Sequence, residues 1–361
     1  MKNKIVAVFG DIGGCKETLP ALQILRERGF TVGTVVSEGG KAVSVLTTSQ
    51  ATSDSFLSNG SIDGRILDGI VVGTSATAVS AQIAWTDWGR SHAIPVIWVE
   101  DLYGTGERTA VRGSAGPDVL CVIDEMAADI ARRGWPKAKV VVCGKPTFKR
   151  VGVLLAQQDT IRAQVREKLN IDARERLLTW FSGGERPEEE IATLIEGIEP
   201  LQKYNGLRVA ARVHPKMPEP ALGEIRARIA SWSSRFRIDP IAVFAADANE
   251  LTLASDIVVG TWGSTQCYVA VLARAACIST HFGSAEQRLA AGYADGLSPA
   301  VAAGAAMAVT IPAEIVTRVG DVLRGRGEGA HIEAVRNMPF RPLIAPGAAE
   351  RIADAIVAAM G

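Results

Sequence analysis

The stretch Ser-Asp-Ile-Val-Val-Gly-Thr-Trp-Gly-Ser-Thr-Gln at positions 255–266 has the residue types of an anion seat. An apolar run, Ile257–Val259, stops at Gly260, passes through a turn of hydroxyls and glycine, and enters Gln266–Arg274, which suits a helix. Nothing acidic stands in that first turn. Because the first N–H groups of a helix lack internal partners and carry partial positive charge, Thr261, Gly263, Ser264 and Thr265 can receive a phosphate or carboxylate. The alternative is an ordinary strand-to-helix turn capped by Ser264 or Thr265.

Three further groups carry chemistry. Leu207–Val213 reads as a strand running out at Arg212-Val213-His214-Pro215-Lys216, so a histidine stands between two cations. His214 can donate to a phosphate or sugar oxygen, with Arg212 and Lys216 adding charge; a bond to a nearby carbonyl is the plainer alternative. Leu177–Phe181 is followed by Ser182-Gly183-Gly184 and then by Pro187-Glu188-Glu189-Glu190. The glutamates complement a helix dipole and repel phosphate, so Gly183 and Gly184 suit a backbone contact to a nucleoside or sugar, or simply open a capped helix. In the first half, Ile94–Val99 ends on Glu100-Asp101, two carboxylates that can hold sugar hydroxyls. Glu100 can act as a general base if burial raises its pKa; the alternative for both is a solvated pair heading a surface loop.

These groups need strands to carry them. Lys4–Phe9 reads as a buried parallel strand ended by Gly10-Asp11-Ile12-Gly13-Gly14, Leu19–Arg28 as a helix and Phe30–Val36 as the next strand, a βαβ unit. The glycines do not keep the G-x-G-x-x-G spacing, which argues against a dinucleotide site and leaves Gly13 and Gly14 a tight turn that lets the helix approach the sheet. Gly69–Gly73 is a strand stopped by Thr74-Ser75-Ala76-Thr77, and the helix after it, Ala78–Arg90, has no acid before Asp87. Val119–Ile123, a helix at Glu125–Arg133 and Lys139–Cys143 complete one parallel sheet. A helix at Gln157–Leu169 leads into a second alternation, which adds a weaker strand at Arg237–Ile241, a short helix at Asn249–Ala254, a strand at Ala276–Ser279 and a helix at Ala313–Leu323. A last helix, Ala348–Met360, has a narrow apolar face suited to crossing back onto the first domain. Ligands of open parallel sheets bind outside the carboxyl ends of the strands, where all the residues above fall.

The totals bound the function. A chain of 361 residues is long for one core, and 39 acidic against 39 basic residues give no bulk electrostatic hold on nucleic acid or a membrane surface. Five cysteines, scattered singly, suggest neither zinc nor a disulfide framework, and a reducing cytoplasm fits them best. The run Ile5–Phe9 is too brief for a signal-peptide core, and the Ala-rich Pro299–Ile311 is too short to span a bilayer.

Set in order, the motifs resemble those of the GT-B glycosyltransferases, and within that superfamily the non-hydrolysing UDP-N-acetylglucosamine 2-epimerases. The similarity runs through Phe9-Gly10-Asp11 to Leu19-Pro20, Val72–Thr77, Ile94–Glu100, Val142–Phe148, Val213-His214-Pro215 and Gly260–Gln266. It implies two Rossmann-like doubly wound parallel-sheet domains facing a central cleft: residues 1–150 on the acceptor side, 151–345 on the nucleotide-donor side, and a C-terminal helix, 346–361, returning to the first. The family's first loop carries an arginine and a glutamate where this chain has Ile12 and Gly14. Its catalytic aspartate falls at Thr74, and its late Asp-Ser-Gly-Gly turn at Trp262-Gly263-Ser264-Thr265; only Glu100 and His214 match functional positions. Arg-x-His-Pro and Gly-Thr-x-Gly-Ser also resemble glycosyl- and glycerophosphotransferases of cell-surface polymer synthesis.

The resemblance therefore implies a cytoplasmic nucleotide-sugar-dependent glycosyltransferase, UDP-type, with Glu100 as base and His214 on the leaving phosphate. Gly183, Gly184, Arg212, Lys216, Thr261, Gly263, Ser264 and Thr265 would hold the nucleotide, and Gly13, Gly14, Thr74, Ser75 and Asp101 the unknown acceptor. No metal or other cofactor is expected, since no Asp-x-Asp motif is present to hold one, and a homodimer is compatible with the sequence. The alternatives are a UDP-sugar 2-epimerase or hydrolase with a rebuilt acid/base set, and a non-catalytic sugar-nucleotide-binding or scaffold protein.

Overall fold

The computed structural model describes residues 4–36, 42, 67–74, 78–104, 115–183, 186–214, 217–232, 247–262, 264–284, 293, 296–325 and 340–361. The chain divides into two units, Met1–Lys149 with Pro339–Gly361, and Arg150–Met338.

The first unit is built on continuous apolar runs, which form strands covered on both faces. β1 (Lys4–Phe9), β2 (Thr31–Val36), β3 (Gly69–Gly73), β4 (Val96–Val99), β5 (Val119–Val122) and β6 (Lys139–Val142) make a parallel sheet in the order β2-β1-β3-β4-β5-β6. The chain turns to opposite sides of β1 after β2, so the topological switch point lies between β1 and β3. α1 (Ile12–Glu27) follows β1 almost at once. Gly13 and Gly14 therefore lie in its first turn, and the separate glycine turn expected from the sequence does not form. The expected close approach does: a Cβ on Gly14 would overlap the carbonyl of Thr74 and reach 2.7 Å from the carbonyl carbon of Gly73. α2 (Val79–Ser91) and α3 (Glu125–Gly134) complete the crossovers.

The C-terminal helix is part of this core. Ile352, Ala353 and Ile356 are buried with Leu22 and Leu25 of α1. Arg28 pairs with Asp354 at 2.7 Å, and Arg351 Nε donates to the carbonyl of Cys143 at 2.8 Å.

In the second unit, α4 (Lys149–Ala156) and α5 (Gln158–Lys168) precede β7 (Arg176–Phe181), β8 (Leu207–Arg212), β9 (Ile257–Thr261), β10 (Ala276–Thr280) and β11 (Met307–Val309). All strands are parallel, in the order β11-β10-β9-β7-β8, which puts a second switch point between β7 and β9. Between strands run α6 (Pro187–Ala192), α7 (Glu219–Ser231), α8 (Ala248–Ala254), α9 (Thr265–Leu272) and α10 (Pro299–Ala302), and α11 (Glu314–Leu323) follows β11; the first unit's return helix is α12 (Ala348–Ala359). α6 continues into a π-helical turn, Thr193–Ile198.

The amino-terminal edge of this sheet is pinned by one carboxylate. Asp256 bonds Arg162 at 2.6 Å, Arg166 at 3.1 Å and Arg176 at 3.2 Å, and accepts the Leu177 amide at 2.7 Å. Burial works against its charge, but the amide and guanidinium partners win and hold its pKa below the usual value.

Neither α7 nor β11 is evident in the sequence pattern. The strand expected at Arg237–Ile241 lies outside the described residues. Among those residues, no helix is long and apolar enough to cross a membrane.

Candidate functional site

Two clusters form at the carboxyl edges of the sheets, one at each switch point. In the first unit, β4 delivers Glu100 and Asp101, and both are buried. This corrects the solvated-pair alternative. Asp101 is held from three sides: Thr74 Oγ1 donates to Asp101 Oδ1 at 3.2 Å, the Asp101 amide donates back to Thr74 Oγ1 at 3.2 Å, and Lys145 Nζ donates to the Asp101 carbonyl at 2.6 Å. The other carboxylate oxygen, Oδ2, lies where a Cβ of Gly13 would stand. A carboxylate therefore already occupies the positive end of α1, and the glycine there makes room for a side chain of the protein itself.

Two residues of this cluster have no signal in local spacing. Glu17 and Lys145, both buried, pair at 2.7 Å, and Glu17 also accepts the Thr147 amide at 3.1 Å and its hydroxyl at 2.5 Å. The pair joins α1 to the segment after β6. Its only sequence trace is a lysine among apolar residues in Gly144-Lys145-Pro146 and a glutamate facing inward on α1. Tyr103 and Asp124 form a second buried contact nearby, where Asp124 also caps α3 by accepting the Ala127 amide at 2.9 Å. Burial raises the Asp124 pKa against the pull of these donors.

In the second unit the ends of β8, β7 and β9 are adjacent, with Phe181 opposite both Arg212 and Gly260. Ser182 stitches two of them: its amide donates to the Arg212 carbonyl at 3.0 Å, and its hydroxyl accepts the His214 amide at 3.4 Å. On the other side, a Cβ on Gly183 would overlap Thr261 Oγ1, so the loop after β7 lies directly on the end of β9. Gly183, Arg212, His214 and Thr261 are thus brought to one edge, with Arg212 and His214 half-buried. Gly184, Lys216, Gly263 and, in the first unit, Ser75 lie outside the described residues.

The turn into α9 is closed by its own bonds. Ser264 Oγ accepts the Gln266 amide at 3.3 Å, the Ser264 amide donates to the Thr261 carbonyl at 3.0 Å, and Cys267 N–H turns back to the Ser264 carbonyl at 3.0 Å. Ser264 is a helix cap in this structure, and the first turn of α9 carries no acid. The long 3.3 Å bond is the weakest of the three.

The glutamates of α6 do more than face the helix dipole. Glu190 Oε1 accepts the Gly183 amide at 2.7 Å, so that amide is not open to a ligand as the sequence suggests. Glu189 accepts both the amide of Ser284 at 3.0 Å and its hydroxyl at 2.7 Å. His281, which follows β10, is buried and bonds the hydroxyls of Ser279 at 3.1 Å and Ser298 at 3.2 Å; burial lowers its pKa to about 4.

No family model matches the sequence, and no curated protein matches it. Solved structures do match across the whole chain. Acinetobacter baumannii MurG is 15% identical, with 99% of each chain covered and a TM-score of 0.63. Anabaena HepE in complex with UDP-glucose is 12% identical, covering 98% of this chain and 99% of its own, with a TM-score of 0.61. The UDP-GlcNAc 2-epimerase of Neisseria meningitidis bound to UDP-GlcNAc is 15% identical, covering 98% and 100%, with a TM-score of 0.59. With two parallel-sheet α/β units and these likenesses over its full length, the protein has the GT-B fold shared by such glycosyltransferases and 2-epimerases.

Proposed function

We propose that the protein is a glycosyltransferase that uses a nucleotide-activated sugar of the UDP type, acting in the cytoplasm in the synthesis of a cell-surface polysaccharide or glycoconjugate. The observation that carries this reading is the meeting of Gly183, Arg212, His214 and Thr261 at the switch point of the second sheet, beside the acid-free start of α9. Ligands of open α/β sheets collect at such points. Solved structures of the same fold, HepE and the N. meningitidis epimerase, hold UDP-sugars. Five buried, unbridged cysteines support a reducing compartment.

In this reading the donor diphosphate lies on Ser264, Thr265 and the first amides of α9, displacing the long Ser264 cap. Arg212 and His214 oppose the charge that develops on the leaving phosphate, which is where fixed donors contribute most to rate. The acceptor binds the first unit, where Thr74 and Asp101 orient a hydroxyl and Glu100 removes its proton. The acceptor oxygen attacks the anomeric carbon, the bond from that carbon to the diphosphate breaks, and UDP leaves with the electron pair. The reaction needs no metal when the helix end and two cations neutralise the diphosphate.

A second reading, a UDP-sugar 2-epimerase or hydrolase, is favoured by one contact. Thr74 stands where the resemblance places a catalytic aspartate, and the structure brings the Asp101 carboxylate onto Thr74 from the neighbouring strand. Incubation with UDP-N-acetylglucosamine alone separates the two. Transfer predicts an unchanged substrate until an acceptor is added; an epimer or free sugar without acceptor supports the second reading.

A further inference from the structure

Gly183 stands at the switch point of the second sheet, packed so that a Cβ would overlap Thr261, and beside the segment bearing Arg212 and His214. A backbone N–H in that position is the kind of donor a phosphate oxygen takes. A carboxylate of the chain has taken it instead: Glu190 is only 6% exposed, and its Oε1 accepts this amide at 2.7 Å. Its neighbour Glu189 does the same one loop away, with both oxygens on Ser284 and its carboxyl against Gly283, where φ is +60° and a Cβ would come within 2.6 Å. α6 thus closes the loops after β7 and β10 with two negative charges. Between those loops, Trp180, Thr193, Thr280 and Phe282 line a pocket with both glutamates and Thr261.

We propose that Glu190 is a specificity-determining residue that keeps the Gly183 amide closed to phosphate. It confines a bound diphosphate to the α9 side of the site and leaves the β7 side to a neutral group whose hydroxyls donate to the glutamates. This inference rests on the nucleotide-sugar reading and assigns its polarity: charge against α9, hydroxyls against α6. The cause is twofold, since an incoming phosphate must break a short bond between the half-buried Gly183 amide and a buried carboxylate and must approach a like charge.

The test is calorimetric titration of the full chain with inorganic pyrophosphate and with UDP, in wild type, Glu190→Gln and Glu190→Ala. A carboxamide oxygen can still accept the Gly183 amide, so E190Q removes the charge and keeps the bond; if E190A fails to fold, E190Q alone carries the test. Pyrophosphate affinity is expected to rise about tenfold in E190Q, equivalent to about 1.4 kcal/mol, and further in E190A. Unchanged or weaker pyrophosphate binding in folded variants, with UDP still bound, overturns the inference and leaves the nucleotide reading standing. Failure of every form to bind UDP overturns both.

Discussion

Replacing Lys145 by methionine should cost the first unit far more than an average substitution. The lysine is buried, its ammonium bonds Glu17 Oε1 at 2.7 Å and the Asp101 carbonyl at 2.6 Å, and the same nitrogen lies 5.7 Å from the centre of the Phe148 ring. Methionine keeps the volume and removes the charge, so the carboxylate of Glu17, only 3% exposed, is left with the Thr147 amide and hydroxyl alone. Removing one member of a buried ion pair costs about 3–5 kcal/mol, because the remaining charge stays desolvated. Removing both should cost less, so the Glu17→Leu, Lys145→Met double variant is expected to recover about half of the loss. Because the chain has two units, a single unfolding midpoint would mix them. Hydrogen exchange of the β1, β3 and β4 amides reads the first unit directly, and their protection should fall in K145M by a factor matching that energy. A cost below about 1 kcal/mol, or a double variant worse than either single, would refute the view that this pair is buried and strongly coupled.

Two other perturbations follow from local geometry. Gly14→Ala places a methyl on the Thr74 carbonyl and should destabilise the first unit by about 1–3 kcal/mol, read as lost hydrogen-exchange protection of the β1 and β3 amides; no change would mean that α1 can shift from β3. His281 has a folded pKa near 4 against an ordinary 6.5, so the unfolded chain binds more protons between these values, and stability should fall as pH drops through that window. The full loss is up to about 3 kcal/mol, complete below pH 4, and His281→Gln should flatten the pH dependence of hydrogen-exchange protection in β9 and β10; an equal slope in the variant would contradict it.

The strands are the legible part of this fold, for a physical reason. Runs such as Ile5–Phe9, Ile70–Val72 and Ile257–Val259 are buried on both faces of a parallel sheet, and continuous apolar sequence is what that environment demands. β11 is only three residues long inside an alanine-rich stretch, and α7 is weakly amphipathic, so neither stands out in the sequence. At the candidate site, residue types mark Glu100, His214 and the start of α9, because they stand where strands give out. Glu17 takes the amide of Thr147, 130 positions along the chain, and pairs with Lys145 just before it, and no local spacing encodes this. Asp101 reads from the sequence as half of an exposed acidic pair; only the packing of β3 against β4 shows that Thr74 receives it. In the same way, the glutamates after Gly183 look like helix-dipole partners until their side chains are found on the amides of two loops.

The central claim is that the carboxyl edge of β7, β8 and β9 receives a uridine diphosphate. Hydrogen exchange of the wild-type chain with and without saturating UDP tests it most directly. Protection confined to segments covering residues 182–183, 212–214 and 261–267, and lost in His214→Ala, is the predicted result. No protection anywhere, or protection centred on the amino-terminal edge around Arg162, Arg166 and Asp256, would contradict it.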